Sequence, residues 1–286
     1  MKDKKVLACV DQSRFADGVG DYAAWAASRI QAPLEFLHVI DRHPEIGTGE
    51  DHSGAIGLGA HENLLTQLAE KDAILTKAAR EQGRIFLHRL RERAAAAGVE
   101  SVDVRQRHGA LEATLVEQEP SVRLFVLGRR GQSAETTQRD LGRNVERVIR
   151  SLHKPILTVT ETFREPRRAL IAFDGGIVTR RGVELIASSP LLRGLPVHLL
   201  MSGAKSPNAS KQLEWAQSLL ESAGFESPAS LIPGDAESII AKTVKALEID
   251  LLIMGAYSHS SFRRLLFGSK TSDLLRSSMI PTLIIR

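Results

Sequence analysis

The feature that most constrains this chain is that it repeats itself. Val6-Leu-Ala-Cys-Val-Asp11 returns 163 residues later as Ala169-Leu-Ile-Ala-Phe-Asp174, and Pro33 returns as Pro196 at the same offset. Gly98-Val-Glu-Ser101 returns as Gly224-Phe-Glu-Ser227, and Leu124-Phe-Val-Leu-Gly128 as Leu251-Leu-Ile-Met-Gly255, at offsets of 126 and 127. Gly142 and Pro155 match Gly268 and Pro281. Anchors in one order at nearly constant offsets mark a duplicated unit. The offset falls by 37 between Pro33 and Gly98, so the first copy carries an extra segment there.

Each copy alternates short apolar runs with helical patterns. The first reads as strands at Lys5–Val10, Leu34–Ile40, Val102–Arg107, Leu124–Gly128 and Ile156–Thr160. The second reads as strands at Ala169–Phe173, Val197–Met201, Ala229–Ile232, Leu251–Met254 and Thr282–Ile285. Strands nearly continuous in apolar residues, joined by helices, predict two tandem five-stranded parallel sheets with helices on both faces, an α/β fold. The copies span residues 1–161 and 167–286, and Thr162-Phe-Arg-Glu-Pro166 is a linker short enough to hold them in contact. Within the extra segment, about residues 42–97, Arg42–Ala60 reads as a loop. His61–Ala97 reads as one long helix, or two joined near Gly83, with apolar residues at helical spacing (Leu64, Leu65, Leu68, Ile74, Leu75). It is an interaction or lid element, or simply a long second helix packed on the sheet.

Composition excludes several classes. Apolar residues make up 43% and charged residues 25%, so both halves can bury a core. No apolar run approaches the roughly 20 residues of a membrane helix. Met1-Lys-Asp-Lys-Lys runs straight into a strand pattern without the apolar stretch of a secretion signal. The single Cys9 leaves no internal disulfide, and the expected location is the cytoplasm. Of the net charge of +4, all lies in residues 163–286, an excess too small for a nucleic-acid protein but favourable to an anionic ligand.

Ligands of parallel sheets sit at the carboxyl ends of strands, where strand order reverses. Both copies carry an acid there, Asp11 and Asp174. Such a carboxylate accepts hydrogen bonds from a ribose or base, or caps the following helix. After the fourth strand of the second copy comes Met254-Gly255-Ala-Tyr-Ser258-His259, then Gly268-Ser269-Lys270-Thr271. Gly255 lets a ligand approach the backbone. Gly268-Ser269 opens a helix, whose unpaired N–H groups and positive dipole end suit a phosphate. Lys270 adds charge and Thr271 a hydroxyl. The alternative is a plain Gly-Ser helix start.

With these residues in place, the chain resembles the universal stress protein family along nearly its whole length, as a tandem two-domain member. The resemblance rests on the duplicated α/β unit, the acid after strand one, and a G-x2-G-x9-G-[S/T] signature. Gly255, Gly268 and Ser269 match the signature, while Ser258 stands at its second glycine. The resemblance implies a Rossmann-like sheet of the adenine nucleotide alpha hydrolase type. It also implies that ATP, or AMP or ADP, binds in the second domain with or without Mg2+. The site would comprise Ala172, Phe173, Asp174, Met201, Met254, Gly255, Ser258, Gly268, Ser269, Lys270 and Thr271. The first copy has Gly128 and Gly131, but Gly142 follows after ten residues and Arg143 replaces the hydroxyl residue. Its site (Asp11, Gly128, Gly131, Gly142, Asn144) is therefore the weaker one. Family members commonly dimerise through the fifth strand, so the two copies should form an internal pseudo-dimer in which Ile156–Val159 and Thr282–Ile285 pair antiparallel; a homodimer of such chains is a further expectation.

Other constellations are weaker. His43, His52, His61 and Asp51 match no metal-ligand spacing and read as surface groups. His38, His198, Cys9, Trp25 and Trp215 read as packing or hydrogen-bonding residues. Asp174-Gly-Gly-Ile-Val-Thr faintly resembles the pyrophosphatase loop of ATP-dependent ligases, without its serines. No P-loop, nucleophile elbow or zinc-protease motif is present. The expectation is a stress-response protein that responds to a bound ligand and at most hydrolyses ATP slowly, without catalytic residues or a metal site. The alternative is a nucleotide-free interaction or scaffold protein. Neither a nucleic acid nor a membrane is expected as partner, and any protein partner is unnamed.

Overall fold

A computed structural model of the chain describes residues 4–40, 58–129, 143–255 and 280–286; the side chains of 58–76 and of residues 143, 144 and 146 lie outside that description. The ten expected strands all form, with ends shifted by at most two residues. They are β1 (Lys5–Cys9), β2 (Leu34–Ile40), β3 (Val102–His108), β4 (Val122–Gly128), β5 (Ile156–Val159), β6 (Ala169–Phe173), β7 (Val197–Ser202), β8 (Ala229–Ile232), β9 (Leu251–Gly255) and β10 (Thr282–Ile285). The described helices are α1 (Ala16–Ile30), α2 (Leu58–Ala96), α3 (Leu111–Gln118), α4 (Arg143–Ser151), α5 (Ile177–Ser188), α6 (Pro207–Ser222) and α7 (Ala236–Ala246).

The strands join into one ten-stranded sheet in the order β3-β2-β1-β4-β5-β10-β9-β6-β7-β8. Pairing within each half is parallel. The central strands are buried on both faces, which is why they read as unbroken apolar runs. The outermost strands differ. β3 alternates apolar with charged residues, and β8 has only four residues. Both devices discourage a further strand from adding to the edge.

The two halves meet where β5 and β10 pair antiparallel, Leu157 opposite Leu283 and Ile156 opposite Ile284. This is the strand pairing expected from the sequence. The apolar core does not stop at the seam. Leu157, Val159, Leu283 and Ile285 share one cluster beneath α1, α2, α5 and α6, and Ile156 and Ile284 share another on the opposite face. Thr158 Oγ1 donates to Thr282 O at 3.2 Å across the seam. The connecting segment is held at both ends. Tyr22 accepts the Arg164 N–H at 3.2 Å and meets Phe163 edge-on, while Asp250 Oδ2 accepts from the Arg167 and Arg168 N–H groups.

Arg129, immediately after β4, reinforces the seam. Its side chain is buried, and its Nη2 donates to the carbonyl of Ile280 and, at 3.4 Å, to Thr282 Oγ1 in the second half. Burial lowers its pKa to about 10, still high enough to keep the guanidinium charged at neutral pH. The corresponding residue of the second copy is Ala256, whose side chain carries no donor.

The extra segment includes an unbroken helix through Gly83. A Cβ at Gly83 would lie 2.5 Å from Gln106 Nε2 and 3.2 Å from His38 Cδ2, so glycine lets the helix lie close to β2 and β3. α6 occupies the matching place in the second half with 16 residues against the 39 of α2. Arg80 Nε donates to His108 Nε2 at 3.2 Å, which sets Arg80 level with the end of β3. The helix before Arg80 therefore runs past the carboxyl edge of the sheet. The expected loop at 42–57 lies outside the described residues.

Arg129→Met should leave the Ile280 carbonyl and the Thr282 hydroxyl short of a buried donor, at a cost of about 1–3 kcal/mol. Urea unfolding of the full chain measures it. An unchanged midpoint would show that the seam does not depend on this side chain.

Candidate functional site

Strand order reverses between β6 and β9 in the second half, and between β1 and β4 in the first. Each reversal opens a crevice at the carboxyl ends of the strands. In the second half the register sets Ala172 opposite Met254 and Phe173 opposite Met201. Asp174, Met201 and Gly255 thus come to one edge from three adjacent strands. Ala172, Phe173, Met201 and Met254 are buried, so their side chains belong to the core and their backbone forms the floor of the crevice.

Asp174 has a local role. Its Oδ1 accepts the Gly176 N–H at 2.8 Å and the Thr179 hydroxyl at 2.6 Å. This ties the turn after β6 to the first turn of α5. In the first half Asp11 likewise braces the turn after β1, accepting the Ser13 N–H at 3.2 Å. Both acids thus bond the turns ahead of the helices, whose N-caps Phe15 and Gly176 supply no side-chain cap bond.

Gly175 has φ of +74°, and a Cβ there would come within 1.7 Å of Gln212 Oε1 from α6. Gly255 also has a packing reason. A Cβ on it would lie 3.0 Å from Val178 Cγ1 and 3.1 Å from Thr179 Cγ2. The space that the sequence reading reserved for a ligand is on this side taken by helix α5. Thr179, Gln212 and Gly175 were not among the expected site residues. The Asp-Gly-Gly run followed by Thr179 was the available signal, but Gln212 arrives from a distant helix and left no trace in sequence.

The wall above this turn is aromatic. Phe173 stacks with Trp215 at a centroid distance of 6.5 Å, and the Arg180 guanidinium lies 4.5 Å from the Trp215 ring centre. At the positions matching Arg180 and Trp215, the first half has Asp17 and Arg89, which form an ion pair at 2.7 Å. One helix-to-helix contact is thus made by two different chemistries. Ile177, at the start of α5, is 69% exposed and gives the edge an apolar lip.

In the first half Gly128 ends β4, and Arg129 turns away to the seam. Gln12, Ser13, Gln82 and Phe86 line an open groove of about 560 Å³ between α1 and α2. Ser258, Gly268, Ser269, Lys270, Thr271, Gly131 and Gly142 lie outside the described residues, as do His43, His52 and Asp51. Asn144 falls in α4, its side chain undescribed. His38 Nδ1 lies 2.9 Å from Val10 O, and His198 Nε2 lies 3.2 Å from Ser230 Oγ. Burial lowers the pKa of His198, and it pushes the Cys9 thiol far above its usual range, helped by the charges of Asp11 and Glu35. Cys9 is therefore inert as a nucleophile.

The model of the universal stress protein family matches residues 3–160 and again 167–286. The chain belongs to the universal stress protein family. It is 36% identical over 286 residues to Universal stress protein Slr1230 of Synechocystis, covering 99% of this chain and all of the relative. Its fold is also that of a universal stress protein from Archaeoglobus fulgidus, with a TM-score of 0.68 at 15% identity, covering 99% of this chain and 97% of the other. A universal stress protein from Pseudomonas aeruginosa gives a TM-score of 0.61 at 16% identity, covering 99% and 93%. Both family matches and the whole-length relative establish a tandem member. No helix among the described residues is long and apolar enough to cross a membrane.

Gly175→Ala should destabilise the second half by about 1–2 kcal/mol, the cost of a left-handed backbone for a residue with a Cβ. Thermal unfolding without added ligand measures it. A neutral substitution would mean that the turn after β6 relaxes freely.

Proposed function

We propose that the second universal stress protein domain, residues 167–286, binds an adenine nucleotide, and that the protein acts in stress response as a ligand-responsive binding protein. ATP, AMP or ADP would serve, with or without Mg2+. The supporting observation is the convergence of Asp174, Met201 and Gly255 at the switch point, one strand end from the segment that carries Gly268-Ser269-Lys270-Thr271. In this reading the Asp174 carboxylate faces the ribose or base. The backbone near Met201 lines the adenine. Gly268, Ser269, Lys270 and Thr271 hold the phosphates through helix N–H groups, hydroxyls and an ammonium. The first domain, residues 1–161, keeps only a degenerate site.

A second reading has its own support. Asp174 and Gly255 both have structural partners without any ligand. An interaction protein of the same fold, binding no nucleotide, would retain them for that reason alone.

Calorimetry on protein stripped of ligand separates the two. Ser269→Ala should cost about 0.5–3 kcal/mol of nucleotide binding, the range for one hydrogen bond. Gly268→Val should cost more, because a branched side chain fills the phosphate position. Equal ATP affinity in wild type and Gly268→Val, or no binding at millimolar nucleotide, would hand the case to the interaction reading. Because the extra segment is assigned to interaction and not to the nucleotide grip, deleting residues 47–59 should leave nucleotide affinity nearly unchanged. A large loss, with the circular dichroism spectrum intact, would contradict that.

A further inference from the structure

The antiparallel seam has a consequence for charge. It sets the amino edge of the first half beside the carboxyl edge of the second. Ile285 pairs with Gly255 at the end of β9, and Ile284 faces Ile156 at the start of β5. Ile156 in turn pairs with Phe125 of β4, and Val122 with Lys5 of β1. Lys154, two residues before β5, Arg123, the second residue of β4, and Lys4, just before β1, therefore follow one another along this edge. Adjacent strands are about 4.8 Å apart, so three cations fall within about 10 Å of edge.

These three residues line a cavity of about 400 Å³ whose apolar lining is Ala32, Val122, Pro155 and Leu185. Leu185 is contributed by α5 of the second half. Among the described residues no carboxylate pairs with any of the three cationic side chains. Arg123 gives one N–H to the carbonyl of Ile30 at 3.3 Å, at the end of α1, which leaves the rest of its guanidinium fork available. Three like charges in a concave, partly apolar site repel one another and raise the local potential; a bound anion relieves both effects.

We propose that this junction cavity is a binding site for a small phosphate-bearing ligand, separate from the nucleotide site. The phosphate lies among Lys4, Arg123 and Lys154, and the ligand's apolar part rests on Ala32, Pro155 and Leu185. A ligand so placed touches both halves and braces their contact. The 400 Å³ of space suits a molecule of cofactor size and is too small for a folded partner.

The test uses inorganic pyrophosphate on the full chain carrying Gly268→Val, which silences the proposed phosphate grip of the second domain. Calorimetry at low salt is compared with the same protein also carrying Lys4→Gln, Arg123→Gln and Lys154→Gln. The triple change should weaken pyrophosphate binding at least tenfold while the thermal midpoint stays close to its starting value. In the unsubstituted cavity, affinity should fall as salt rises. Methyl signals of Ala32 and Leu185 should shift on titration. Equal affinity with and without the three cations, or no methyl shift at millimolar pyrophosphate, overturns the proposal. Because the background lacks Gly268, either result is independent of whether the second domain binds a nucleotide.

Discussion

The pairing of β5 with β10 is the contact on which the rest of the molecule depends. Each five-stranded half ends in a short, mostly apolar and fully buried strand that could not remain exposed without inviting aggregation. Antiparallel pairing covers both edges at once and makes the two apolar layers continuous from one half to the other. Because the partners run in opposite directions, the carboxyl edge of one half lies beside the amino edge of the other. The halves therefore occupy different surroundings. Arg129 reaches across beside the first crevice, and Lys154, Arg123 and Lys4 lie along the amino edge of the first half.

This asymmetry explains how a duplicated sequence diverges without losing its fold. The core positions of β1 and β6, or of β4 and β9, keep similar apolar residues because both faces of a parallel strand are buried. Contacts at the helix surfaces are freer. The same α-to-α contact is an ion pair between Asp17 and Arg89 in one half and a cation–π contact between Arg180 and Trp215 in the other. Either holds the helices together, so the choice between them is open to drift or to function.

Asp174 and Gly255 have structural duties of their own. Asp174 organises the turn after β6 through Gly176 and Thr179, and Gly255 makes room for α5. A nucleotide-binding crevice needs both a firm turn and a close helix, so these structural duties are compatible with binding. They also mean that the presence of Asp or Gly at these positions is not by itself a sign of a ligand. In the proposed nucleotide site, the chemistry that would discriminate is that of the hydroxyl and ammonium groups following Gly268.

The sequence by itself determined the duplication and the ten strands, because burial on both sides of a parallel strand writes itself as an uninterrupted apolar run. The family was also legible, through the acid after strand one and the spaced glycines. What only the tertiary structure decided were contacts between residues far apart in the chain. Gln212 against Gly175, Arg129 against Ile280, and the row of Lys4, Arg123 and Lys154 all depend on which elements become neighbours. Gly83 shows the same limit. In sequence a glycine amid a helical pattern suggests a break, because it lowers helix propensity. In the fold it lies against His38 and Gln106, where the absence of a Cβ lets an unbroken helix pack closely, and only the neighbouring strands could reveal that.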